Sequence, residues 1–304
     1  MSKIEFDPRF WHNIQDPFEM DVSRRFEYDE DALELIKRWL RLDNSQVKVI
    51  VEVGSGSGYF TEKLIEMTNG KAKIVCVEPD DVLRRYAETK LAGKAEFLSG
   101  FVEDLPLPSD YADLTVCHIL LHNLPDIYQA VREMVRVTRK GGVVAAIEPA
   151  IGSFHYYPDQ VLNKLIEKVQ KAFGKGIWEL RTKLMKYSRE IEYKPAYYIK
   201  IFHDCGLTHI ETHGILSVFL LSDPRRSRKE IIDWLKDRLK VLKETEKQDY
   251  VILKRGGLSE EEITKYRQKY RQYLEKMIEN PELISETHEM EITSRILILG
   301  IKTE

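Results

Sequence analysis

Cysteine is scarce in this chain. Of 304 residues only Cys76, Cys117 and Cys205 are cysteines, odd in number and without a C-x-x-C pair. That excludes a disulfide framework and a zinc knuckle, and no other metal-ligand spacing takes their place. Cys76 and Cys117 lie inside apolar runs and read as small core residues. Long hydrophobic stretches are also missing: the longest, such as 143–147 and 218–221, are far short of the roughly 20 residues that cross a bilayer. Nor is there an excess of one charge, since 47 Lys and Arg face 50 Asp and Glu, for a net of −3. Such a balance gives no global attraction to nucleic acid or anionic lipid. The opening residues, Met1-Ser2-Lys3-Ile4-Glu5-Phe6-Asp7, lack the basic-then-apolar order of a secretory signal, so a cytoplasmic location is expected. No internal repeat, low-complexity tract or flexible linker interrupts the chain.

What is present is concentrated in one stretch. The β-branched run Val51-Glu52-Val53 leads into Gly54-Ser55-Gly56-Ser57-Gly58 and then Tyr59. Glycines there permit a tight turn and let a ligand approach main-chain N–H groups that a Cβ would block. The next apolar run ends in an acid, Glu78, placed on a neighbouring strand to reach ribose hydroxyls. The nicotinamide-enzyme spacing, G-x-G-x-x-G, would need glycine where Tyr59 stands. Here the pattern is G-x-G-x-G, with Glu52 two residues ahead of the first glycine.

The surrounding sequence predicts an α/β core. Strand-like runs at 48–53, 73–78, 95–99, 113–118 and 142–148 alternate with helical spacing at 59–68, 81–90 and 126–138, which implies a parallel sheet with helices on both faces. Upstream, Asp29 is placed to cap a leading helix whose apolar face includes Ala32, Leu33, Ile36, Trp39 and Leu40. Residues 1–28, rich in aromatics and Arg (Phe6, Phe10, Trp11, Phe18, Tyr28), have no clear period and read as a frayed end or a flap over a pocket. Beyond 150, helices are expected at 159–173, 177–189 and 195–205, then a strand at 207–221. Asp223-Pro224 reads as the cap and first position of a helix to about 245, and Ser259 with Glu262 as a capping box for another to about 279. A final strand is expected over 291–301. The expected segments are 1–150 as flap and core, 151–194 as a helical cap insertion, 195–221 as core helix and strand, 222–288 as a second helical insertion and 289–304 as the last core strand.

The glycine stretch resembles the first motif of class I S-adenosylmethionine (SAM) dependent methyltransferases, and three further segments extend the resemblance over 48–149. Gly100-Phe101-Val102-Glu103-Asp104-Leu105-Pro106 followed by Asp113 to Val116 is similar to the family's acidic-Leu-Pro and fourth-strand segment. Leu121-His122-Asn123-Leu124-Pro125-Asp126 resembles its Leu-His-His-Leu-Pro-Asp element, and Gly141-Gly142 to Glu148 its fifth strand. In style these motifs are similar to small-molecule methyltransferases of the ubiquinone and menaquinone type. The resemblance implies a Rossmann-like seven-stranded sheet and a SAM cofactor, leaving S-adenosylhomocysteine as product. It places Glu52, Gly54, Ser55, Gly56, Gly58, Glu78, Pro79, Phe101, Val102, Glu103 and His118 at the cofactor. Family members usually carry Asp where this chain has Phe101, so Phe101 either stacks on adenine, with Glu103 or a backbone carbonyl taking the amino proton, or fills the core.

His118, ending the fourth strand, and His122 are the candidate bases, needed only if the acceptor arrives protonated; packing at the helix entry is the alternative for His122. Tyr28, Tyr156 and Tyr157 are candidate substrate contacts. The absence of Asn-Pro-Pro-Tyr after the fourth strand disfavours exocyclic-amine methylation, and the absence of Pro-Cys disfavours a cytosine C5 mechanism. The acceptor expected is small or medium-sized and partly apolar. Two alternatives stay open: RNA or protein methylation with the helical cap as docking surface, and a SAM-binding regulator without catalysis. Over 221–280, 16 Lys and Arg against 12 Asp and Glu include the basic knot 225–229, weak support for a nucleic-acid partner, and the same helices could serve a homodimer.

Overall fold

The structure is a computed structural model, and it describes residues 11–43, 46–150, 154–181 and 195–303. Helices are α1 Pro17–Arg24, α2 Glu30–Trp39, α3 Tyr59–Met67, α4 Asp81–Leu91, α5 Ile127–Val137, α6 Gln160–Arg181, α7 Pro195–Asp204, α8 Arg228–Glu244, α9 Glu246–Arg255 and α10 Glu260–Glu279. Strands are β1 Val49–Val53, β2 Lys73–Val77, β3 Glu96–Leu98, β4 Ala112–His118, β5 Thr138–Pro149, β6 Phe154–Tyr156, β7 Leu207–Leu220 and β8 Met290–Lys302. Contacts divide the described residues into two units: an α/β core within 28–152, 185–217 and 294–304, and a helical unit within 1–27, 153–184 and 218–293.

In the core the sheet order is β3-β2-β1-β4-β5-β8, with β7 pairing β8. The first five strands are parallel, and β8 joins β5 antiparallel, from Val143 opposite Ile301 to Pro149 opposite Arg295. Strand side chains alternate between faces, and the packing follows that period. Val51, Val53, Val75, Val77, Cys117, Val144 and Ala146 meet α5 and α7. Ile50, Ile74, Cys76, Leu114, Val116, Ala145 and Ile147 meet α2 and α3 on the opposite face. A parallel sheet covered on both faces needs such continuous apolar strands. The Asp29 cap is present: its carboxylate accepts the Ala32 N–H at 2.9 Å.

The helical unit departs from the sequence reading in four places. Residues 11–27 are not a frayed end: α1, capped by Asp16 with Pro17 at its first position, packs into the helical core, where Phe26 stacks on Phe219 at 5.2 Å and the Trp234 indole N–H donates to the Val22 carbonyl. The two helices expected at 159–173 and 177–189 begin as one helix, α6; residues 182–189 lie outside the described residues, as do Phe6, Phe10, Tyr187 and Tyr193. Its glycines do not break it, because Gly176 stands where a Cβ would lie 2.1 Å from the Ile252 carbonyl oxygen of α9. Helix α8 opens at Arg228, not at Pro224, since Ser227 and Glu230 make a reciprocal capping box while the Asp223 carboxylate is held by Arg225 at 2.8 Å. Finally α9 is a helix the sequence reading left out. Within this unit β6 pairs β8 antiparallel, Phe154 opposite Ile292. Among the described residues no helix is long and apolar enough to cross a membrane.

Candidate functional site

Alternation along the parallel strands explains how the site forms. Glu52 shares its face of β1 with Ile50, Glu78 follows Cys76 just past β2, and His118 follows Val116 on β4; all three therefore point to the α3 face. They stand at the carboxyl ends of their strands, where open α/β sheets take ligands. The turn between β1 and α3 brings a helix N-terminus to the same place. Gly54, Gly56 and Gly58 have φ of 71°, 53° and 75°, the left-handed region that favours glycine. At Gly54 a Cβ would also lie 2.8 Å from Leu120 Cδ1.

Glu78 organises this loop. One carboxylate oxygen accepts the Gly56 N–H at 2.9 Å and the other the Asp80 N–H at 3.0 Å, and each retains a second lone pair for a hydroxyl donor. Burial pushes its pKa up to about 7, against the pull of those two N–H groups. Glu52, almost fully buried, accepts the Thr61 hydroxyl at 2.5 Å, and burial pushes it up to about 8. The Gly cradle and the Glu78 oxygens fit the ribose and methionine portions of SAM.

Next to the loop an aromatic wall encloses the end of β4. His118 Nε2 shares a 2.8 Å hydrogen bond with the Tyr28 hydroxyl. Its ring stacks on Phe60 at 4.8 Å, and Tyr28 and Tyr59 stand at 5.8 and 6.0 Å from it. Tyr28 and His118, separate candidates in the sequence, thus form one pair. His122 is arranged otherwise: its Nδ1 lies 2.7 Å from an oxygen of fully buried Glu148. The same carboxylate accepts the N–H groups of Leu120 at 3.0 Å, Leu121 at 2.8 Å and His122 at 3.4 Å. Those bonds hold a turn whose first residue, Ile119, has φ of 56°, a strained value for a β-branched residue.

Phe101 does not fill the core, since 49% of it is exposed; its backbone closes a small turn on Asp104. Val102 turns its side chain into the core, and the Glu103 carbonyl accepts from Gln129 at 3.0 Å. Pro79 and Ser55 flank Glu78 and the first glycine in sequence; Pro79 is half-buried and Ser55 buried. Tyr156 and Tyr157 belong to the helical unit, Tyr156 half exposed and Tyr157 buried edge-on against Tyr270 and Tyr273. The sequence reading passed over Tyr59, Phe60 and Glu148 as site residues. The aromatic pair directly after the glycine loop, and an acid ending the apolar run 143–147, were the available signals.

Residues 51–146 match the family model described as "Methyltransferase domain". A 156-residue stretch is 28% identical to the chloroplastic 2-methyl-6-phytyl-1,4-hydroquinone methyltransferase of Spinacia oleracea, covering 48% of this chain and 45% of that protein. Over 104 residues the chain is 26% identical to the ubiquinone/menaquinone biosynthesis C-methyltransferase UbiE of Vibrio vulnificus, covering 33% of this chain and 40% of the relative. The match thus spans under half the length of either curated relative. Among solved structures, the YcgJ protein of Bacillus subtilis superposes with a TM-score of 0.50 at 15% identity, covering 91% of this chain and all of YcgJ; that likeness is one of fold.

Proposed function

We propose that the chain, whose residues 51–146 match a methyltransferase domain model, transfers a methyl group from SAM to a small or medium-sized, partly apolar acceptor. The observation that carries the reading is the Gly54–Gly58 turn with Glu78 bonded to the Gly56 N–H, set beside the walled end of β4. When bound, SAM supplies a methyl group on a positively charged sulfur, open to in-line displacement. In this reading Glu78 holds the ribose diol, Gly54 to Gly56 bring the backbone close to the methionine portion, and exposed Phe101 offers its ring to adenine in place of the usual acid. Tyr28, Tyr59 and Phe60 exclude water from the transfer, and positioning with dehydration can supply most of the rate. His118, oriented by Tyr28, takes the proton of a hydroxyl acceptor, while His122, tied to Glu148, positions the 119–123 turn. Given the relatives' names, hydroquinones are the acceptor class to test first.

Calorimetry with SAM and S-adenosylhomocysteine should give micromolar dissociation constants, and Glu78→Ala should weaken both at least tenfold, the loss of a buried, charge-assisted hydrogen bond. No binding of either compound by the wild-type chain would refute the assignment. Transfer of label from methyl-labelled SAM to a hydroquinone panel then tests the acceptor class.

A further inference from the structure

The helical unit contains a cavity of about 200 Å³ that the methyl-transfer reading does not use, lined by residues of α1, β6, α8, α9, α10 and β8. A space of about 150 Å³ suffices for benzene, so this one takes a ring with a substituent. Arg238 and Glu19 each present to it a polar atom that makes no hydrogen bond among the described residues. Arg238 of α8 points its guanidinium there, 4.7 Å from the Trp234 ring and 5.3 Å from that of Tyr270. Among the described residues no hydrogen bond or ion pair engages it; the Glu289 and Glu291 charges act at longer range. An oxygen of Glu19, on α1, is buried in the same wall without a hydrogen bond among the described residues.

Asp249 pairs with Arg267 at 2.9 Å and accepts the Thr245 hydroxyl, and Glu291 faces His155 at 3.6 Å. Burial lowers His155 to about 4, so it is neutral at physiological pH. Burial, then the charges of Asp249 and Asp16, raise Glu19 to about 8, which leaves it a carboxylic acid able to donate. The cavity therefore presents donors to an acceptor, among them a fork-shaped guanidinium and an acid O–H. Its remaining wall is apolar and aromatic: Val22, Val241, Leu242 and the stacked pair Tyr266 and Tyr270, 5.7 Å apart.

We infer that the helical unit binds a small aromatic carboxylate in this cavity, with the carboxylate on Arg238 and Glu19 and the ring against Tyr266 and Tyr270. A planar guanidinium between rings matches a carboxylate in two parallel hydrogen bonds. An ammonium ligand would meet Arg238 with like charge, and Asp249 is already paired with Arg267.

Titration of the full chain with benzoate, benzamide and benzylamine at about pH 6.5 tests this by ligand-observed NMR. Saturable benzoate binding below about 10 mM is expected, with the neutral and cationic analogues at least tenfold weaker. Arg238→Gln should weaken benzoate at least tenfold. Wild-type affinity should also fall at least tenfold between about pH 6.5 and 9.5 as Glu19 ionises beside Asp16, Asp249 and Glu291, whereas Glu19→Gln should keep its affinity over that range. Equal binding of benzylamine, unchanged affinity in Arg238→Gln, or no benzoate binding would overturn the inference. If circular dichroism shows Arg238→Gln unfolded, the Glu19 comparison decides: a pH-independent wild type refutes it.

Discussion

Glu52 offers the sharpest test of the electrostatics beneath the glycine loop. Its carboxyl is almost fully buried, and the Thr61 hydroxyl is its one strong donor, with the Cys76 thiol at 3.9 Å. Burial raises the folded-state pKa from 4.5 to about 8. The sign follows from proton counting. Between those two values the native chain holds a proton that the unfolded chain has released, so stability is fully present below about pH 4.5 and is lost as pH rises through 8. At about 1.4 kcal/mol per tenfold change in proton concentration, the wild type should lose on the order of 4 kcal/mol from this group between pH 5 and 8.5. Glu52→Gln keeps an oxygen for Thr61 and cannot ionise. Its urea denaturation midpoint should match the wild type at pH 5 and exceed it at pH 8.5 by the equivalent of a few kcal/mol. Glu78, raised to about 7, adds a loss of the same sign in both proteins, so the difference between them isolates Glu52. Equal midpoints at pH 8.5 would refute the claim that Glu52 is neutral in the native state at pH 7.

Gly54→Ala should be destabilised by about 2–4 kcal/mol, because an alanine must hold φ of 71° and its Cβ meets Leu120 at 2.8 Å. Gly70→Ala, at φ of 65° with open space around it, should lose only about 1 kcal/mol; equal losses in thermal denaturation would show that the Leu120 contact is unimportant. Glu148→Ala removes the acceptor for three N–H groups and the His122 ring, and should lower stability by at least about 3 kcal/mol. A loss below about 1 kcal/mol in urea denaturation would mean the 119–123 turn is held by other contacts.

The core was legible because its signals are local. Runs such as 49–53 and 73–77 place apolar residues on both faces, and the glycines at 54, 56 and 58 carry their own conformational reason. The helical unit was less so, because its deciding contacts join distant residues. Gly174 and Gly176 stand in the gap between the helices expected at 159–173 and 177–189, yet Gly176 and Gly256 are where α6 and α9 approach too closely for a Cβ, 2.1 Å from the Ile252 oxygen and 1.8 Å from that of Ala172. Packing outweighed the weak propensity of glycine for helix. Asp223-Pro224 has the local form of a helix start, but the Arg225 side chain competes for the carboxylate, and the Ser227–Glu230 box satisfies two N-terminal donors at once.

At the site the same division separates residues from roles. Glu52, Glu78 and His118 could be found from strand ends alone, since period two puts them on one face. The Glu148 contacts could not, because that side chain leaves β5 on the opposite face and meets the chain 26 to 28 residues earlier. Ile119 explains why such a clamp is required. A β-branched residue at φ of 56° is strained by about 1–3 kcal/mol and would relax unless the backbone after it were pinned. Glu148 pins the next three N–H groups, and relaxation of Ile119 would rotate His118 off Tyr28 and move Leu120 away from Gly54. The turn that looks like a connection between strand and helix therefore fixes both the candidate base and the packing of the glycine loop, which is why a buried acid on the far face of β5 belongs to the site.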